Sequence, residues 1–385
     1  MNATHRLITA LALGAATAWG RTITEVVPAT SENLIGSLAI SYDARGEGDA
    51  ADALYVAWGE TDAGDDLAAW PNVRRVKRLA AEAGTTTFTF PDDTLLTGDR
   101  VARVFLVTSV APYDHLVESL HGTGAQYLDT GFTVSPASRA SVTFCLDVVK
   151  NQIRPFGISS DNGASLLSFD CYINGGGYWA SAFKDGSGDW KGVSVTAKAD
   201  VRYQLTLDGP TKTYTVANAL TGATLATDST QHDTTPTATS AGSLYVFARH
   251  GYWNNSNGAD NPVTAGDLYA FTLASNGVAQ CDWAPCTVDG RGGMYDRVSG
   301  TVVYSASGTD FSPAGENMST ALLDGETVLS AAAAVTVAGS VPDPTTGAVW
   351  KGTASGTWDF ASANWLVNGV AGQTWQDGCQ VTASG

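Results

Sequence analysis

The side chains of this chain that could do chemistry are mainly aspartates. Hydrolysis of a glycosidic bond normally uses two carboxyl groups, one as acid and the other as nucleophile or base. No glutamate occurs between Glu118 and Glu316, so this stretch lacks the residue type that usually fills both roles. Its aspartates stand among Gly, Ser or Asn, which favours exposed turns over an apolar pocket that would raise a pKa. The aspartates considered are Asp161, Asp170, Asp185, Asp189 and Asp260.

Motifs for other catalytic chemistries are also missing from the sequence. It contains neither G-x-S-x-G nor H-E-x-x-H, and its five histidines are scattered. No Cys-x2-Cys pair predicts structural zinc. We therefore expect a protein that is not an enzyme and requires no cofactor. A glycan-processing hydrolase that uses aspartates is the alternative.

Two stretches place aromatic rings beside Gly-rich or polar turns. Sugars bind on shallow surfaces where an aromatic face covers their C–H groups and polar groups meet their hydroxyls. The predicted ligand-binding residues are Tyr178, Trp179, Trp190, Tyr252, Trp253 and Asn254. The alternative is that Trp179 and Trp253 fill a core or cover its edge.

These residues belong to a chain of several strand-rich domains. The 385 residues predict two or three domains. The 42 glycines and 13 prolines, with many Thr, Val and Asn residues, favour short strands joined by tight turns. The formal charge of −17 repels phosphate backbones, so we expect no nucleic-acid partner.

The first twenty residues resemble an export signal. Leu7–Ala18 is almost wholly apolar and follows a basic start, and Ala16, Ala18 and Gly20 suit signal-peptidase cleavage. The sequence thus predicts a signal peptide at residues 1–20 and an extracellular or outer cell-surface location. The run is shorter than the roughly 20 residues of a spanning helix, so no transmembrane segment is expected.

Five cysteines are too few to build a disulfide scaffold in an exported chain of this length. One or two bridges remain open, and spacing does not decide their connectivity. The cysteines are Cys145, Cys171, Cys281, Cys286 and Cys379.

Residues 22–112 predict a small β-sandwich of the immunoglobulin or fibronectin III kind. Apolar residues alternate in several short runs bounded by turns. One segment differs, since Val73, Val76 and Leu79 have helical spacing. We interpret its basic residues as a solvated helix face, with anion binding as the alternative. These residues are Arg74, Arg75, Lys77 and Arg78.

Residues 113–315 carry the strongest family signal. The segment Tyr113–Phe132 (YDHLVESLHGTGAQYLDTGF) resembles the opening strands of concanavalin A-like, LamG-type jelly rolls. The segment Gly290–Tyr304 (GRGGMYDRVSGTVVY) resembles the last strands of the same family. Nine short strand-like runs between them suit two packed antiparallel sheets.

The glycines and aspartates of these two motifs predict structural turns. We expect Gly131, Gly293 and Gly300 to provide turns where a Cβ would clash, and Asp129 and Asp296 to accept backbone N–H groups there. A catalytic role for either aspartate is the alternative. Many LamG-like domains hold calcium, and the resemblance leaves Ca²⁺ open as a ligand of Asp185 and Asp189.

The C-terminal part predicts a spacer followed by a repeat unit. Residues 316–344 are rich in Ala, Thr, Val and Ser and are interpreted as a linker, with one or two strands of its own as the alternative. Residues 346–385 include AVWKGTASGTWDFASANW and resemble the autotransporter-associated β-strand repeat, whose units stack as a β-solenoid. One unit cannot bury its own face, so the resemblance implies further rungs.

Together these features predict an all-β surface protein with a sandwich, a LamG-like jelly roll and the start of a solenoid. The expected function is non-catalytic recognition or adhesion, with a polysaccharide or glycoconjugate as the partner. A purely structural spacer is a further alternative to the hydrolase.

Overall fold

The chain is almost entirely β-structure. A computed structural model describes residues 21–30, 35–46, 51–91, 94–95, 97–160, 167–185, 191–228, 236–253, 256–260, 264–339, 348–350, 365–367, 370–373 and 381–383. In this part the all-β prediction is confirmed, and the only helix is a short 3-10 turn at Leu67–Ala69. None of these residues belongs to a helix that could cross a membrane. Two compact units are present, one of residues 1–110 and 320–385 and the other of residues 111–319.

The first unit contains two small sheets with a shared core. Its first strands are β1 (Ile23–Thr30), β2 (Gly36–Tyr42), β3 (Asp52–Gly59), β4 (Asn72–Arg78), β5 (Gly84–Thr89) and β6 (Arg100–Thr108). One sheet has the order β1-β2-β5, and the other contains β6-β3-β4. Alternate residues of both sheets meet in the core, where the ring centroids of Trp58 and Phe88 are 5.6 Å apart. This part is therefore a sandwich, as expected.

The helix predicted near Val73 is wrong, because this segment is strand β4. Its pairing with β3 shifts register between the pairs Leu54 with Lys77 and Tyr55 with Arg75, which leaves Val76 as an extra residue. A bulge of this kind interrupts the two-residue alternation of a strand. It produces an apolar spacing of three that imitates a helix in the sequence.

The second unit contains two larger sheets. Its strands are β7 (His115–Thr123), β8 (Leu128–Thr133), β9 (Ser138–Leu146), β10 (Phe156–Ser160), β11 (Leu167–Ile173), β12 (Tyr178–Asp185), β13 (Lys191–Thr196), β14 (Tyr203–Asp208), β15 (Thr213–Asn218), β16 (Thr224–Asp228), β17 (Ser243–Val246), β18 (Arg249–Trp253), β19 (Ser256–Asp260), β20 (Ala265–Ser275), β21 (Val278–Val288), β22 (Arg291–Asp296), β23 (Thr301–Val303) and β24 (Ser312–Asn317). All nine strand runs expected from the sequence are present, with shifted ends.

These strands form an eight-stranded and a ten-stranded sheet. The eight-stranded sheet has the order β13-β12-β11-β10-β17-β8, with β18 and β19 beside β10. The ten-stranded sheet has the order β16-β15-β14-β9-β20-β7-β21-β22-β23, with β24 beside β7. Their inner faces share one apolar core, in which Phe156 lies 6.3 Å from Phe271 between ring centroids. Two facing, mainly antiparallel sheets are compatible with a jelly-roll sandwich.

The motif residues at the two ends of this unit have structural roles. The Asp296 carboxylate is buried and accepts the backbone N–H groups of Asp282 at 3.0 Å and Val298 at 3.1 Å. Asp129 accepts the N–H of Gly131 at 2.9 Å, and Gly131 has a φ of +72° that favours glycine. These aspartates therefore hold turns, as the sequence predicts.

The segment interpreted as a linker returns to the first unit. Strands β25 (Val328–Ala331) and β26 (Val335–Val337) both pair with β6 and extend its sheet. Val337 is fully buried in the core of the first unit. Residues 320–337 are thus part of that sandwich, and the second unit is inserted in its sequence.

A buried ion pair fastens this returning segment. The Arg75 guanidinium lies 3.3 Å from the Glu326 carboxylate, and neither side chain is exposed to solvent. The hydroxyl of Tyr55 also donates to Glu326, and burial and this carboxylate raise the pKa of Tyr55. Arg75, predicted to lie on a solvated helix face, instead binds Glu326, which precedes the strands that extend the sheet at β6.

The C-terminal residues form a further small sheet. Strands β27 (Ala348–Trp350), β28 (Trp365–Val367), β29 (Val370–Gln373) and β30 (Val381–Ala383) have the order β29-β28-β27-β30. Most of the predicted repeat at 346–385 lies outside the described residues. The repeat therefore stays a prediction.

Four cysteines of the second unit are free thiols. Cys171, Cys281 and Cys286 are buried, whereas Cys145 is half-buried. Cys379 lies outside the described residues. Burial raises the pKa of both Cys281 and Cys286 to about 12. The protein thus relies on apolar packing rather than disulfides in the described part of the chain.

We expect Glu326→Ala to destabilise the first unit by about 3–5 kcal/mol, because it removes the carboxylate that faces a buried arginine. Urea unfolding of the full chain, followed by Trp fluorescence, measures the change. Glu316→Ala, which alters an exposed glutamate of β24, is the matched control. Equal stability of the two variants would contradict the structural role of Glu326.

We expect the free energy of unfolding to fall as pH rises from about 9 towards 12. Unfolded thiols ionise near 9.0, whereas the folded Cys281 and Cys286 stay protonated up to about 12. Their stabilisation is therefore complete below pH 9 and is lost above it. Cys286→Ala should reduce the fall of the unfolding free energy with pH by up to about 1.4 kcal/mol per pH unit. Urea midpoints between pH 8 and 10.5 test this, and an unchanged slope would contradict it.

Candidate functional site

Tyr178 and Trp179 are consecutive residues of β12 and face opposite sides of the eight-stranded sheet. Trp179 is fully buried in the core, with its ring centroid 5.6 Å from Phe144 and 5.3 Å from Tyr203. Tyr178 is 43% exposed. Successive strand residues alternate between faces, so these two rings cannot form one platform. Trp179 is thereby removed from the candidate ligand-binding residues.

The side chains of the other predicted binding residues lie outside the described part of the chain. Tyr252 and Trp253 are the last residues of β18, but their side chains lie outside the described part. Trp190, Asn254 and Asp189 lie wholly outside it. Asp185 ends β12, and its side chain is likewise not described. Their predicted roles stay predictions.

The residues that the structure describes contain no candidate metal site. These residues contain no group of three or more His, Cys, Asp or Glu side chains that could hold a metal ion. The calcium prediction for Asp185 and Asp189 concerns side chains beyond this part and stays open.

A glycine turn supports the exposed ring of Tyr178. The Asn174 side-chain oxygen accepts the backbone N–H groups of Gly176 at 2.9 Å and Tyr178 at 3.1 Å. A Cβ at Gly176 would lie 3.0 Å from the ring atom Cδ2 of Tyr178. The missing side chain therefore lets the ring lie close to the backbone of the turn.

Behind this turn, a buried ion pair occupies the outer face of the sheet, which is the face away from the core. Asp170 lies between two core residues of β11, so it points outward, and its carboxylate is 3.3 Å from Nε of Arg154. The Arg154 side chain is 3% exposed and the Asp170 side chain is 0% exposed. The sequence-based expectation of an exposed turn at Asp170 is wrong, because β11 carries this residue into a covered layer.

Close packing holds the two charged groups in place. A Cβ at Gly157 would lie 2.5 Å from Cβ of Asp170, so only glycine fits beside this carboxylate. The Arg154 guanidinium lies over the ring of Tyr172 at 5.3 Å from its centroid. Burial and the nearby Asp170 raise the pKa of Tyr172. Tyr172 is therefore a neutral phenol at physiological pH.

From this layer, hydrogen bonds reach the surface at the glycine turn that precedes Tyr178. Arg154 donates to the side-chain oxygen of Gln152 at 2.6 Å and to its backbone oxygen at 2.9 Å. Gln152 in turn donates to the side-chain oxygen of Asn151 at 3.3 Å. Nδ2 of Asn151 lies 3.9 Å from the position of a Cβ at Gly175. We call Tyr178, Asn174, Gln152 and Asn151 the Tyr178 edge.

The Tyr178 edge therefore combines one exposed ring with three carboxamides. Asn174 is bound within its turn, whereas Asn151 is exposed. Sequence reasoning found Tyr178 but missed Asn151 and Gln152. No local pattern marks them, since the pairing of residues 152–153 with Ile173 is what brings them to this turn.

A second polar cluster lies on the outer face of the ten-stranded sheet. Nδ1 of His121 is 3.1 Å from Asp267, and the Arg202 guanidinium lies 3.6 Å from the ring centroid of Tyr269. Glu118 pairs with Arg202 at 2.5 Å. These side chains pair with one another on an open sheet face. They suit a solvated ion-pair network rather than a binding platform.

Comparison with known proteins gives no family. No family model matches the chain, and no curated protein matches it.

We expect Asp170→Ala to lower the free energy of unfolding of the second unit by about 3–5 kcal/mol, because the buried Arg154 loses its carboxylate. Chemical denaturation of the full chain measures the effect. Asp310→Ala breaks an exposed pair with Arg291 and should have a much smaller effect. A comparable loss in both variants would contradict the buried pair as the anchor of this layer.

Proposed function

We propose that this protein recognises a glycan or matrix polymer without catalysis and that the Tyr178 edge of the second unit contacts the sugar. The observation that carries the proposal is the exposed Tyr178 ring on a glycine turn beside fixed carboxamides. A tyrosine face can cover the C–H groups of a pyranose, while carboxamides donate to and accept from its hydroxyls. A polymer is the expected ligand, because repeated contacts along one chain raise the overall affinity above that of a single contact.

The Asp170 carboxylate is unsuited to glycoside hydrolysis, and this supports a non-catalytic role. Among the described residues, the carboxylate in the layer behind the turn is Asp170, which is buried and paired with Arg154. Glycoside hydrolysis needs a second carboxyl group and room for the sugar between the two. Asp170 offers neither, because it is enclosed in the sheet layer.

We further propose that this recognition takes place at the cell surface. The motifs that resemble LamG domains, the predicted export signal at residues 1–20 and the predicted C-terminal autotransporter-associated repeat together support secretion and display. The net charge of −17 disfavours nucleic acid and acidic surfaces as partners. We propose an adhesin-like protein whose second unit is the recognition module.

The test is a glycan array with the full chain, followed by native affinity gels cast with barley β-glucan, xylan or galactomannan. We expect Tyr178→Ala to weaken binding at least ten-fold, because the stacking surface is lost. Phe132→Ala is the matched control, since it removes a ring of similar exposure (38%) from β8 at the other edge of the same sheet.

Binding that survives Tyr178→Ala would contradict the Tyr178 edge as the site. Release of reducing sugars from any of these polymers would contradict the non-catalytic role. Failure of the chain to bind any glycan would favour a structural spacer.

A further inference from the structure

We infer that Gln152 is a positioning residue of the Tyr178 edge: its carboxamide, held by the buried Arg154, orients Asn151 so that Asn151 donates a hydrogen bond to a ligand hydroxyl. The inference rests on the proposed function. It assigns a role to two residues that contribute no exposed ring and that no sequence motif marks.

The orientation of both carboxamides follows from the chemistry of arginine. A guanidinium has only donors, so the Gln152 atom 2.6 Å from Nη2 of Arg154 must be its oxygen. The Gln152 nitrogen then faces Asn151 and donates to the Asn151 oxygen at 3.3 Å. Asn151 is thereby left with its NH₂ group, a pure donor, directed away from Gln152.

The layer that holds Arg154 is rigid. Arg154 also contacts Asp170 and Tyr172, which belong to the central strand β11. The hydroxyl of Thr264 further donates to the backbone oxygen of Arg154 at 3.0 Å. A surface donor supported through such buried contacts loses little side-chain entropy when a ligand binds.

The backbone of Gln152 adds an independent observation. Its φ is +67°, a left-handed conformation in which a residue with a Cβ is strained and glycine is not. A position selected for stability alone would favour glycine there. Strained residues are concentrated at binding and catalytic sites, and here the side chain of the strained residue is the one that orients Asn151.

This strain gives a variant that separates positioning from folding. Gln152→Gly removes the carboxamide and relieves the backbone at the same time. We expect an unchanged or higher melting temperature together with affinity for the bound polysaccharide about five- to ten-fold weaker. A residue with a merely structural role would show both properties falling together. Asn276→Gly, which relieves a φ of +51° in the turn between β20 and β21, is the matched control and should leave affinity unchanged.

A double-mutant cycle tests the route through Asn151. In an Asn151→Ala background, Gln152→Gly should change affinity less than two-fold, because the donor that Gln152 orients is already gone. Affinity is measured in the gels with barley β-glucan, xylan or galactomannan. Fully additive effects would overturn the inference.

The outcomes separate this inference from the proposed function. If Tyr178→Ala leaves binding intact, the proposed site fails. If Tyr178→Ala abolishes binding and Gln152→Gly leaves it unchanged, only the positioning role fails.

A measurement without ligand completes the test. Hydrogen exchange of the Gln152 side-chain amide, followed by NMR, should be slower than that of the exposed Gln204 and should become fast in Arg154→Lys. Equal exchange of Gln152 and Gln204 in the unaltered chain would overturn the inference.

Discussion

The two-residue period of a β-strand is the constraint on which the second unit depends. It sends Trp179 into the core and Tyr178 to the surface, although the two rings are adjacent in the sequence. It also sends Asp170 to the outer face, between two core residues of β11. Neighbouring rings of one strand therefore cannot share a platform on this sheet, and the Tyr178 edge instead combines one strand residue with residues of a turn and a loop.

Buried ion pairs serve a common purpose in the two units. This acidic chain places Arg75 against Glu326 in one unit and Arg154 against Asp170 in the other. The first pair joins segments that are distant in sequence, and the second joins strand β11 to the loop that precedes β10. Because an unpaired buried charge is costly, such pairs discriminate against other arrangements of these segments more than they raise net stability. One completes a sheet, and the other supports a surface loop.

The strands with a regular pattern are the ones that can be predicted from the sequence. Strands with clean alternation, such as β9 and β14, were recognised because one face is apolar and the other polar. The sequence predicts a helix at strand β4 because a bulge at Val76 disturbs the two-residue period of the strand. The segment that forms β25 and β26 is predicted to be a linker because these strands have only four and three residues and most of those residues are not buried, so the periodic signal is weak.

The sequence by itself determined the all-β class, most strand positions and the structural turns at Asp129 and Asp296, and it marked Tyr178 as a candidate for ligand binding. These properties depend on local alternation and on turn residues, which act over a few positions. Only the tertiary structure decided that Trp179 is core, that residues 320–337 complete the first unit, and that residues 152–153 pair with Ile173 near the turn before Tyr178. Such outcomes depend on which distant strands pair and in which register, and the chain settles that choice through the burial of whole sheets rather than through any short segment.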